Sequence, residues 1–121
     1  MTHERDQPPN VCETLGLERE ILRALCASPR LTAERGGLLR ALASHEWRDP
    51  EHRVVYEALL RTLSGGSGAL RSEVPAAATR MGFPDVDWSV YFKPSEASLA
   101  TEVENCIRDL AVASAKLPRQ P

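Results

Sequence analysis

The stretch EWRDPEHRVVYEAL, residues 46–59, decides the fold of this chain. Asp49 is a residue type favoured as an N-cap, and Pro50 suits the first helical position because the N–H that proline lacks would have no partner there. Apolar residues then recur with the helical period, on one side of the segment: Val54, Val55, Ala58, Leu59 and Leu63. We therefore predict a helix over residues 50–63, with Trp47 packed under the turn that precedes it.

An earlier segment, LEREILRAL at residues 17–25, has the same helical period. Four apolar residues fall on one face: Leu17, Ile21, Leu22 and Leu25. Four charged residues are expected on the opposite, solvent-facing side: Glu18, Arg19, Glu20 and Arg23. Pro29 should end this helix, because the residue before a proline disfavours the α conformation.

Glycine and proline divide the middle of the chain. Gly36 and Gly37 should break a second helical stretch into two short pieces, and residues 64–68 form a flexible loop. A short helix is expected between Ser72 and Met81, with a proline in its first turn and a C-terminal glycine after it. One further helical turn, capped by Asp85, would carry an aromatic cluster: Trp88, Tyr91 and Phe92.

A last helix is expected to open at Pro94 and Ser95. It presents a seam of residues at alternating spacings of four and three: Leu99, Val103, Cys106, Leu110, Ala113 and Leu117. We find no segment with the alternation of a strand. The predicted fold is all-α, an irregular bundle of about six helices with a long C-terminal helix. It occupies residues 15–117, between a disordered tail at 1–14 and a short tail at 118–121.

Composition argues against several classes of function. The net charge of −2 disfavours direct nucleic-acid binding, which depends on clustered Lys and Arg. No apolar run approaches the ~18 residues that cross a membrane. The three cysteines are odd in number and show no C-x-x-C spacing, which favours a reducing cytoplasm.

Residues for catalysis do not converge in the sequence. The histidines His3, His45 and His52 form no metal motif, and no catalytic set can be singled out. We expect no metal, no cofactor and no enzyme activity. An alternative stays open, in which the region of Trp88, Tyr91 and Phe92 forms a pocket for a small ligand or a substrate.

The two quoted segments together resemble a pattern shared by two replication modules. One is the C-terminal helicase-binding domain of DnaG-type primases, and the other is the N-terminal domain of DnaB-type replicative helicases. Both have an opening helix with E-R-x-(I/V/L)-L, then an aromatic residue, and D-P-x-x-R before an apolar helix. A third segment, EVENCIRDL at residues 102–110, is similar to the start of the long last helix in the primase domain.

The resemblance implies a protein–protein interaction module of DNA replication whose partner is the replicative helicase or another replication protein. The alternative is a helicase-type module that self-associates or binds primase. Trp47, Asp49 and Pro50 would build the scaffold. The candidate partner-binding residues are charged and lie on two helices: Arg53, Glu57, Arg61, Glu102, Arg108 and Asp109.

Overall fold

The computed structural model describes residues 11–27, 34–65, 70–93 and 99–115. Over these residues the chain forms six helices and no strand: α1 (Val11–Ala27), α2 (Arg35–Ala41), α3 (Pro50–Gly65), α4 (Leu70–Arg80), α5 (Trp88–Tyr91) and α6 (Ala100–Ala115). The prediction of an all-α bundle with a long C-terminal helix is confirmed. No helix among the described residues has both the length and the apolarity that crossing a membrane requires.

Several predicted features fall outside the described residues. They are the outer parts of the two tails, the end of the first helix at Pro29, most of the loop at 64–68, and Leu117 at the end of the seam. The first helix starts at Val11, ahead of the domain start expected at Leu15.

Helix α1 lies at the centre of the packing. It contacts α3, α4, α5 and α6, while α3 packs most extensively against α4, and α2 packs against α3 and α6. The fully buried side chains are mainly aliphatic, among them Ile21, Leu22, Leu59 and Leu110. Burying one such side chain contributes about 1.5–3 kcal/mol, so the packing of α1 supplies much of the stability.

The prediction that Gly36 and Gly37 interrupt the second helix was wrong. Both glycines lie inside α2, which runs without a break from Arg35 to Ala41. A glycine costs a helix about 1 kcal/mol relative to alanine. The same helix buries Leu38 and Leu39 against the core, and this burial outweighs the cost.

Three other features lie at different residues from those predicted. Pro75 lies inside α4 and not in its first turn, because the helix begins at Leu70. The last helix was expected to open at Pro94 and Ser95, which lie outside the described residues; the described helix begins at Ala100, after a bend at Leu99. The cap of α5 is Asp87, whose Oδ1 accepts from the N–H of Ser89 at 3.2 Å, and not Asp85.

The end of α4 follows the prediction for a C-terminal glycine. Gly82 adopts a φ of +98°, a left-handed conformation that favours glycine. The N–H of Phe83 donates to the carbonyl of Ala78 at 2.9 Å, and that of Gly82 donates to Thr79 at 3.0 Å. These bonds satisfy carbonyls that the helix end leaves without a partner, and they fix the direction in which the chain leaves α4.

Two glycine-to-alanine substitutions should have opposite effects on stability. Gly82→Ala should lower the free energy of unfolding by about 1–2 kcal/mol, because a side chain is strained at positive φ. Gly37→Ala should raise it by about 0.5–1 kcal/mol, because the added Cβ would meet only the end of the Arg40 side chain at 3.9 Å. Urea unfolding followed by circular dichroism measures both. Equal stability of Gly82→Ala and the wild type would contradict the left-handed end of α4.

Candidate functional site

A buried carboxylate, Glu18, joins three parts of the chain. Its side chain is fully buried in α1. Oε2 accepts from Nε2–H of His45 at 2.7 Å and from the N–H of Arg48 at 2.8 Å, while Oε1 accepts from Nδ1–H of His52 at 2.8 Å. An ionised carboxylate only accepts hydrogen bonds, so Nε2 of His45 and Nδ1 of His52 each carry a hydrogen and act as the donors. We call Glu18, His45 and His52 the Glu18 network.

The local sequence explains how these groups meet. Glu18 lies three and four residues before Ile21 and Leu22, on the buried face of α1. Asp49 caps α3 by accepting from the N–H of Glu51 at 2.9 Å, and Pro50 is the first residue of that helix. The cap sets the rotation of α3 so that His52, in its first turn, faces inward and is 1% exposed.

The expectation that Glu18 faces solvent was therefore wrong. A lone glutamate on a helix is usually solvated, and the apolar face that starts at Leu17 does not include it. A usable signal was present, since the positions of Glu18, Ile21, Leu22 and Leu25 continue one stripe at helical spacing. His45 and His52 lie 27 and 34 residues further along the chain, and no local pattern pairs them with Glu18.

Two opposing effects act on the pKa of Glu18. Burial raises it, because the charged form loses its hydration. Hydrogen bonds from His45, His52 and the Arg48 N–H lower it, and together they hold the pKa below the ordinary value of 4.5. The carboxylate is thus charged at neutral pH inside the fold.

Removing this charge should destabilise the fold. Glu18→Gln keeps the size of the side chain but turns an NH₂ group towards one of the donors, so we expect a loss of about 1.5–3 kcal/mol in the free energy of unfolding at pH 7. Urea unfolding measures the loss. Glu20→Gln is the matched control on the same helix. Its partner Arg23 lies 2.8 Å away in a partly exposed pair, and such pairs contribute less than about 1 kcal/mol.

The pH dependence of stability has a definite sign. Because folding lowers the pKa of Glu18, its contribution is complete above the ordinary value of 4.5 and is lost as the pH falls through the folded pKa. The difference in the free energy of unfolding between the wild type and Glu18→Gln should therefore shrink as the pH falls below 4.5. A difference that stays constant from pH 7 to below pH 4.5 would mean that the charge of Glu18 has no role.

Trp47 and Tyr56 form an aromatic contact next to the network. The Trp47 ring lies edge-on to His45 at 4.8 Å between centroids and packs against Tyr56 at 5.2 Å. The hydroxyl of Tyr56 donates to the carbonyl of Leu39 at 3.0 Å. This contact joins the turn before α3 to α2.

The candidate partner-binding residues lie on the surface of two helices. Arg53 pairs with Glu57 at 3.2 Å along α3, and Arg61 is exposed one turn further on. On α6, Glu102 accepts from the N–H of Leu99 at 3.0 Å and Arg108 donates to Asn105; Asp109 is exposed. The structure brings none of the six into the Glu18 network, and α3 and α6 pack mainly against different helices, α4 and α1.

The aromatic cluster considered as a ligand pocket contributes to the core. Tyr91 and Phe92 are buried and Trp88 is half-buried. The hydroxyl of Tyr91 donates to Oε1 of Glu51 at 2.6 Å. Burial, followed by this contact with Glu51, raises the pKa of Tyr91. The three rings pack together and against helices, and the hydroxyl is already engaged.

Two features of the described residues bear on metal and thiol chemistry. No group of three or more His, Cys, Asp and Glu side chains in this part of the chain is arranged to hold a metal ion. Cys26 is a free thiol buried in the core, and burial raises its pKa to about 12. A thiol of this kind is a poor nucleophile, because the thiolate is the reactive form.

Comparison with known proteins assigns no family. No protein-family model, no curated protein and no solved structure matches the chain.

Proposed function

We propose that this chain is a protein–protein interaction module of DNA replication that contacts the replicative helicase, as its resemblance to the DnaG-type primase domain implies. It would act in the cytoplasm, in keeping with Cys26 and Cys106, which are free thiols among the described residues. The proposal assigns no catalysis and no cofactor to the chain.

One observation carries the proposal. The resemblance rests on the order and spacing of residues 17–25 and 46–59, and Glu18 bonds to His52 and to the backbone of Arg48, which lie in the second of these segments. The two segments thus act as one structural unit. The third segment, residues 102–110, lies in α6, which packs against α1. All three parts of the pattern meet at the same helix, as parts of one scaffold should.

The surface charges fit the role of a contact module. Arg61 and Arg108 are exposed, and neither is needed to fill the core. Exposed charges at an interface determine specificity and association rate more than they determine affinity. A partner can therefore be recognised through them without a change in the fold.

Size-exclusion chromatography with light scattering tests the proposal, on the chain alone and mixed with the replicative helicase of the same host. We expect the two to migrate together. Arg61→Glu and Arg108→Glu should leave folding intact, and their double variant should weaken the complex at least about tenfold. Arg40→Glu, an exposed residue of α2, makes the same charge change elsewhere and should bind as the wild type does.

Other outcomes are equally informative. A chain that forms oligomers alone and ignores the helicase would favour the helicase-type module, which self-associates or binds primase. A monomer that does not bind the helicase would refute the proposal. Binding that the double variant leaves unchanged would keep the partner but remove Arg61 and Arg108 from the contact surface.

A further inference from the structure

An exposed aromatic ring lies between two concave surfaces at the end of α4. Phe83 is 48% exposed. On one side it lines a groove of about 450 Å³ between α3 and α4, whose wall carries Arg61 and Arg80. On the other side it lines a mainly apolar hollow of about 280 Å³, shared with Val54 and Val86. We call the surface formed by Arg61, Arg80 and Phe83 the Phe83 groove.

Hydrogen bonding and the turn at Gly82 fix the backbone position from which the Phe83 ring projects. Gly82 turns the chain with its positive φ, and the N–H of Phe83 is bonded to the carbonyl of Ala78. Because this backbone is already ordered, binding at the ring does not have to order the chain around it. Large aromatic side chains next to a concave surface are typical anchors of protein interfaces.

The groove is locally cationic, although the whole chain has a net charge of −2. In the described part of the chain, neither Arg61 nor Arg80 lies within ion-pair distance of a carboxylate. The carboxylate of Glu57 lines the same groove, but it accepts from Nε of Arg53 at 3.2 Å. Within the part of the chain that the structure describes, two guanidinium groups without an ion pair thus stand beside an exposed aromatic ring.

We propose that the Phe83 groove binds a linear segment of a partner protein that carries carboxylates next to a large apolar side chain. The apolar side chain would pack against Phe83, and the carboxylates would pair with the guanidinium groups of Arg61 and Arg80, whose planar donors suit bidentate pairing. The proposal shares Arg61 with the proposed helicase contact, but it does not require the partner to be a helicase.

A nucleic acid fits this surface less well. A phosphate backbone presents a continuous row of negative charge, and affinity grows with the number of cations that neutralise it. Among the described residues, two cations line the groove, Arg61 and Arg80, and the carboxylates of Glu51 and Asp85 line the adjoining hollow. A peptide can place one or two carboxylates at the arginines and avoid these acidic groups.

Selection from a phage-displayed library of random linear peptides tests the inference, with the full chain as bait. Enriched peptides should carry Asp or Glu beside Leu, Ile, Phe or Trp. Synthesised with a fluorescein label, they should bind the wild type in an anisotropy titration. Arg80→Glu and Phe83→Ala should each weaken binding by about tenfold or more.

Matched variants and a second readout guard against loss of folding. Arg40→Glu and Val112→Ala change an exposed arginine and an exposed apolar residue on other helices, and both should bind as the wild type does. Circular dichroism shows whether each variant is folded. In the wild type, peptide-induced changes in NMR amide shifts should cluster at residues 57–61 and 77–83.

Several results would overturn the inference. They are a selection that yields no binding peptide, peptides without acidic enrichment, shift changes elsewhere, or affinity that survives both substitutions. Binding of labelled oligothymidylate that both substitutions abolish would replace the peptide with a nucleic acid. A chain that selects such peptides but ignores the helicase would refute the proposed function alone, and the reverse result would refute this inference alone.

Discussion

The arrangement of this fold depends on the ionised carboxylate of Glu18, which is removed from water at the centre of the bundle. A buried charge is costly unless hydrogen-bond donors surround it. Here the donors come from the turn after α2 and from the first turn of α3. Because one carboxylate must reach all of them, α1, the turn and α3 can adopt only a narrow range of relative positions.

The apolar contacts supply most of the stability, but they do not define these positions as closely. Leucine, valine and isoleucine side chains can pack in several similar arrangements, since a hydrophobic contact has little directionality. The hydrogen bonds of the Glu18 network have strict geometry and a large penalty when broken. We infer that the network selects one packing of α1 against α3 from the several that the apolar stripes would allow.

Local signals predicted the parts of the fold that depend on neighbouring residues. Asp49 and Pro50 mark the start of α3, and Gly82 marks the end of α4, because capping acts through bonds within one turn. Gly36, Gly37 and Glu18 were misjudged for the opposite reason. The helices that cover α2 and the donors that bond to Glu18 come from other parts of the chain. The helical stripe of α1 can indicate that Glu18 is buried, but it does not reveal these partners.

The residues that build the scaffold and the residues that a partner could contact also differ in how far the sequence pattern reveals them. The segments that carry the resemblance hold the helices together, and their residues Glu18, His52 and Asp49 are engaged within the chain. A partner can recognise only groups that remain free at the surface. Within the described part of the chain, Arg80 and Phe83 are exposed and line one groove. The sequence does not single them out, because an isolated arginine and a residue in a turn show no period. The end of α4 places these two residues side by side, so the residues that build the scaffold say little about what binds to it.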